Sequence, residues 1–109
     1  MQEATRPFAE VMAGLRREFE AGLPDRAAEI RKHAPAALAG DPAALAALRV
    51  PVHALAGTGA TFGHPAISDA ALALENMMDQ PDDLQDTMPA GLATVLNILD
   101  NTIKSGGGT

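Results

Sequence analysis

Aliphatic residues recur every three or four positions along most of this chain, and the recurrence breaks only where glycine and proline cluster. That spacing fits the 3.6-residue period of a helix and not the two-residue alternation of a half-buried strand. Residues 6–21 carry Phe8, Val11, Met12, Leu15 and Phe19 at helical spacing. Gly22-Leu23-Pro24 ends that segment, and a second runs to residue 38 with Ala27, Ile30 and Leu38. Pro35 lies inside it, where a proline kinks or restarts a helix. Ala39-Gly40-Asp41-Pro42 is the sharpest boundary: Gly40 can close one helix, Asp41 can cap the next, and Pro42 suits its first position. The third helix is expected over 42–61, with a local kink at Pro51. Gly63-His64-Pro65 turns the chain into a fourth helix over 65–78, packing Ile67, Ala70, Ala71, Leu74 and Met78. A polar loop follows over 79–86. The last helix is expected from Thr87-Met88-Pro89 to residue 104, with a stripe of Met88, Leu92, Val95, Leu96, Leu99 and Ile103.

The chain's 109 residues suffice for one domain with one modest core. Five helical segments joined by short connections point to an all-α fold, an antiparallel four-helix bundle with an additional N-terminal helix across one end. The bundle is expected over residues 1–104, followed by a flexible glycine-rich tail over 105–109. Short loops on both sides of the third helix make its neighbours in sequence its neighbours in space.

There is no cysteine, so disulfides and thiolate metal sites are excluded. No apolar run approaches the ~20 residues of a membrane span, and no leader pattern opens the chain. These features are read as those of a cytoplasmic protein with no membrane partner. Net charge is −6 and unevenly placed. Residues 50–109 hold Lys104 against Asp69, Glu75, Asp79, Asp82, Asp83, Asp86 and Asp100. With no basic stripe to displace counterions, nucleic acid is not an expected partner.

One residue stands apart from the bundle pattern. On a helical wheel Leu45, Leu48, Val52, Leu55, Gly59 and Phe62 share one arc, and His53 points roughly 130° from its middle. Ala46, Arg49, Ala56, Gly57 and Ala60 are read onto the same outer face. A histidine with so little bulk beside it can be reached by another protein. A neutral imidazole nitrogen is a good nucleophile near neutral pH, and phosphoryl transfer asks for positioning and charge neutralisation more than for covalent assistance.

The run His53-Ala54-Leu55-Ala56-Gly57-Thr58-Gly59-Ala60-Thr61-Phe62-Gly63 resembles the signature of histidine-containing phosphotransfer (HPt) domains: His-x-Leu-Lys-Gly, small residues, then an aromatic or aliphatic residue and glycine. Phe19 to Arg26 and Gly40-Asp41 upstream, and Ile67-Ser68 and Leu74-Glu75 downstream, extend the likeness over residues 15–78. The resemblance implies a phosphorelay intermediate. His53 would accept a phosphoryl group from a receiver-domain aspartate and pass it to another receiver domain. The implied partners are response-regulator receiver domains and a hybrid histidine kinase. The chain would be a carrier and not an enzyme, with no cofactor and no metal of its own, since catalytic groups and Mg²⁺ come from the receiver. One position departs from the pattern: Ala56 stands where the family usually has lysine. Arg49, one turn before His53, is the basic residue expected to substitute for it, while Gly57 and Ala60 give a docked partner clearance. The alternative is a degenerate bundle of this kind that binds receiver domains without transfer.

The remaining motifs carry less. Gly57-Thr58-Gly59-Ala60-Thr61-Phe62-Gly63 imitates a dinucleotide-binding loop, but its last glycine falls one residue late and no strand–helix alternation surrounds it. His33 is expected on the surface beside Lys32. His64, in the turn, is expected to cap the fourth helix or to contact a docked partner. His33, His53 and His64 lack the spacing of a metal site.

Overall fold

The computed structural model describes the backbone of residues 2–105 and the side chains of 7–105 apart from Pro81; of the tail expected over 105–109, all but Ser105 lies outside the described residues. Five α-helices follow one another: α1 (Gln2–Ala21), α2 (Leu23–Leu38), α3 (Pro42–Thr58), α4 (Pro65–Met78) and α5 (Leu84–Lys104), with a 3₁₀ turn at Pro81–Asp83 between the last two. Helices α2 to α5 form the expected ring. Each packs on the next, and α5 closes back onto α2.

The apolar stripes meet along the axis of this ring. Leu23, Ile30, Leu48, Val52, Leu55, Ile67, Leu74, Met88, Val95 and Leu99 are its largest enclosed members, and among the described residues no polar or charged one is buried. Helix starts follow the sequence signals. The Asp41 carboxylate accepts from the Ala43 N–H at 3.0 Å and Pro42 opens α3. Gly40 turns the chain before it with φ of 96°. Both α2 and α3 run through their prolines. The Pro51 ring is itself buried, so apolar packing offsets the hydrogen bond that an interior proline removes.

Three expectations need correction. Helix α3 stops at Thr58, because Gly59 takes the C-cap and residues 59–63 wind into successive turns, with the His64 N–H donating to the Gly59 carbonyl at 2.8 Å. Ala60 therefore lies in this turn, not on the helix. Helix α5 starts at Leu84, ahead of Thr87, because Leu84 packs against the core and holds that first turn in place. Finally, α1, expected across one end of the bundle, leaves most of its apolar stripe uncovered. Phe8 is 68% exposed, and Val11 and Leu15 are exposed as well. Only its C-terminal end docks. Phe19 lies tilted against Phe62 at 5.5 Å between ring centres and packs on the core. The rest of α1 projects from one end of the bundle, in a molecule 56 Å long and 24 × 20 Å across.

The contact that sets the site is between α3 and α4. A Cβ on Gly59 would lie 2.9 Å from the Ser68 N–H nitrogen and 3.1 Å from the His64 carbonyl oxygen, so the two backbones meet there only because no side chain intervenes. The Ser68 hydroxyl donates to the Ala56 carbonyl at 2.6 Å, satisfying an acceptor in the last turn of α3. These two contacts fix the antiparallel register along which the next residues face each other.

Candidate functional site

His53 stands on the outer face of α3 with 76% of its side chain exposed. Its Nδ1 lies 2.6 Å from the Glu75 carboxylate, on α4. Glu75 is seven residues, two helical turns, beyond Ser68, so the register pinned at Gly59 brings it opposite His53. Its side chain is only 15% exposed. An ionised carboxylate can only accept, so the proton in this bond sits on Nδ1. In the neutral imidazole the free lone pair is then on Nε2, at the opposite, outward edge of the ring.

The surroundings divide into a bare side and a charged side. Gly57, one turn on, has open space where a Cβ would project, and Ala60 is exposed beyond it. Val50, nearly one turn before His53, is 67% exposed, whereas the other Leu and Val side chains of α3 are buried or half-buried. Ala46, Arg49, Val50, His53 and Glu75 line an open cleft of about 450 Å³. On the charged side the Arg49 guanidinium reaches Asp79, just past the end of α4, at 2.9 Å.

Two of the residues assigned from the sequence sit elsewhere. Ala56 is half-buried and packs against the core, because its wheel position borders the apolar arc and α4 lies against that side. His64 occupies the N-cap position of α4 but makes no side-chain cap there. Its ring is engaged by α1. Nε2 donates to the Glu20 carboxylate at 2.8 Å, the ring stacks on Phe19 at 5.8 Å between centres, and the side chain is only 12% exposed. This enclosed histidine joins α1 to the turn. His33 is half-buried against Glu29 at 3.3 Å.

Glu75, Val50 and Asp79 are the additions the structure makes. Of these, Glu75 had a sequence signal: it lies on the same face as Ser68, next to the core residue Leu74. Among the described residues no three His, Asp or Glu side chains converge to hold a metal ion. No described helix is long and apolar enough to cross a membrane.

A model of the Hpt domain family matches residues 14–103, and the chain belongs to that family. Hpt domains in general carry phosphohistidine in phosphorelays, as phosphoryl carriers rather than enzymes in the usual sense, and interact with receiver domains of two-component systems. No curated protein and no solved structure matches the chain.

Proposed function

We propose that this protein is a phosphorelay intermediate whose phosphoacceptor is Nε2 of His53. The observation that carries the reading is the His53–Glu75 pair: a solvent-facing imidazole whose inner nitrogen is held by a sheltered carboxylate. The Nε2 lone pair attacks the phosphorus of an aspartyl phosphate on a receiver domain. The N–P bond forms as the bond from phosphorus to the carboxyl oxygen breaks, and the aspartate leaves with the electron pair. Nδ1 keeps its proton throughout. The positive charge that builds on the ring faces Glu75 at 2.6 Å. Transfer to a second receiver runs the same steps in reverse.

Nothing beside His53 other than Arg49 carries positive charge on α3, so a metal ion and the remaining electrostatic groups come with the partner. Val50, Gly57 and Ala60 form the bare surface on which that partner sits, and the exposed Val50 supplies an apolar contact to it. The test supplies phosphorylated receiver domains singly, labelled with radioactive phosphate. Acid-labile label is expected on the wild-type protein and none on His53→Gln, which keeps the far-UV circular dichroism of the helical fold. Label persisting on the variant, at His33 or His64, overturns the assignment.

A further inference from the structure

We infer that Asp79 holds Arg49 in reserve, in competition with the phosphoryl group on His53, and so keeps that group transferable. The inference rests on the phosphotransfer reading above. Arg49 lies four residues before His53, on the same side of α3, and both line the same cleft. Side chains at this spacing are neighbours on a helix. Without a phosphoryl group the guanidinium is bound to Asp79 at 2.9 Å.

The placement of Asp79 explains why it needs a cation. It is the C-cap of α4, with its N–H turned back onto the last carbonyls of that helix, and no basic residue lies in the last turn. A carboxylate at the negative end of a helix is unfavourably placed. Arg49 reaches across from α3 and neutralises it. The anion that lines the cleft itself, Glu75, is committed to Nδ1 of His53. One cation therefore serves a site that holds two carboxylates, and three anionic groups once His53 is phosphorylated.

The competition is evenly enough matched to matter. Both partners of the ion pair are substantially exposed, at 36% and 57%, so water screens it. A phosphoryl group carries a charge near −2 and offers a guanidinium several acceptor oxygens. It can draw Arg49 away, but it must do so against Asp79. Asp79 thereby makes phosphohistidine less stabilised than an unencumbered arginine would, which favours onward transfer. Asp79 is thus a positioning residue acting through Arg49.

The experiment is a double-mutant cycle on the equilibrium with one phosphorylated receiver domain, read as the ratio of labelled carrier to labelled receiver. Asp79→Asn should shift this ratio toward phosphohistidine roughly two- to fivefold, the range expected for releasing a screened ion pair. In an Arg49→Ala background the same substitution should shift it not at all. The ³¹P resonance of the phosphohistidine should titrate at lower pH in Asp79→Asn than in the wild type, whereas in an Arg49→Ala background Asp79→Asn should leave the titration unmoved. A shift of equal size with and without Arg49 would mean a general charge effect and overturns the inference, as does no shift in either background. A wild-type protein that takes no label overturns the phosphotransfer reading itself, whereas label on His53 with an unresponsive Asp79→Asn overturns only the reserve role.

Discussion

At the scale of single residues, the sequence shows that His53 faces outward but not which side chain it faces. The outward phase of His53 depends only on positions within α3, so a helical wheel finds it. Glu75 depends on the register between two helices, which is set by the close backbone approach at Gly59 and by the Ser68 hydroxyl on the Ala56 carbonyl. No periodicity within one segment encodes that. The same limit explains His64, whose surroundings are built from α1 and the turn together. The role given to Glu75 leads to a prediction. If its carboxylate holds the proton on Nδ1, Glu75→Ala should let the ring populate both neutral tautomers and slow phosphoryl uptake about ten- to a hundredfold, as loss of a partner that orients an imidazole commonly does. Glu75→Gln, which still offers an acceptor oxygen but no charge, should fall between. Nitrogen-15 NMR of the His53 ring alongside the uptake rate is the check; an unchanged tautomer in Glu75→Ala would remove Glu75 from the mechanism.

At the scale of elements, the four bundle helices were legible because each carries an inward stripe and sits between punctuating residues. The misread boundaries have local causes. Proline at position 89 looks like a helix start, but Leu84 packs on the core and draws α5 back to residue 84. The apolar run through Phe62 looks like continued helix, but the backbone must leave α3 at Gly59 to make its approach to α4. The two glycines of α3's end therefore answer different demands, although the sequence presents them two residues apart. Gly59→Ala places a methyl group against backbone atoms that cannot move independently, and should destabilise the fold by about 1–3 kcal/mol. Gly57→Leu meets open space and should leave stability unchanged or raise it by about 0.5 kcal/mol, since glycine is a poor helix former. It should nevertheless reduce transfer from a receiver domain steeply, by filling the clearance beside His53. Urea unfolding and a transfer assay on both variants separate the effects. A Gly57→Leu protein that transfers at the wild-type rate would mean the partner docks elsewhere.

At the scale of the whole molecule, α1 is the part least fixed by the sequence. Its amphipathic stripe predicts burial, yet Phe8, Val11 and Leu15 stay exposed because the bundle of α2 to α5 already closes on itself. What attaches α1 is one cluster at its C-terminal end. Phe19 packs against Phe62 and His64, Glu20 accepts from His64, and Arg16 bonds Glu20 at 3.2 Å. The hydrogen bond from His64 holds the Glu20 carboxyl below its usual range; desolvation opposes the shift, and Arg16 adds to it. The sign of the pH dependence follows. A carboxyl whose folded value is depressed stabilises the folded state fully above the unfolded value, here the ordinary 4.5, and loses that contribution as pH falls through the lower folded value. Acidification below about 4.5 should therefore loosen α1 before the bundle, in whose core no charged side chain is buried among the described residues. Hydrogen exchange read by mass spectrometry should show residues 15–21 losing protection over that interval while the central turns of α3 and α5 keep theirs. Glu20→Gln should be less protected over residues 15–21 at neutral pH and should lose the acid dependence. If its exchange profile follows pH as the wild type's does, Glu20 is not what fastens α1, and the aromatic contact of Phe19 with Phe62 must hold it alone.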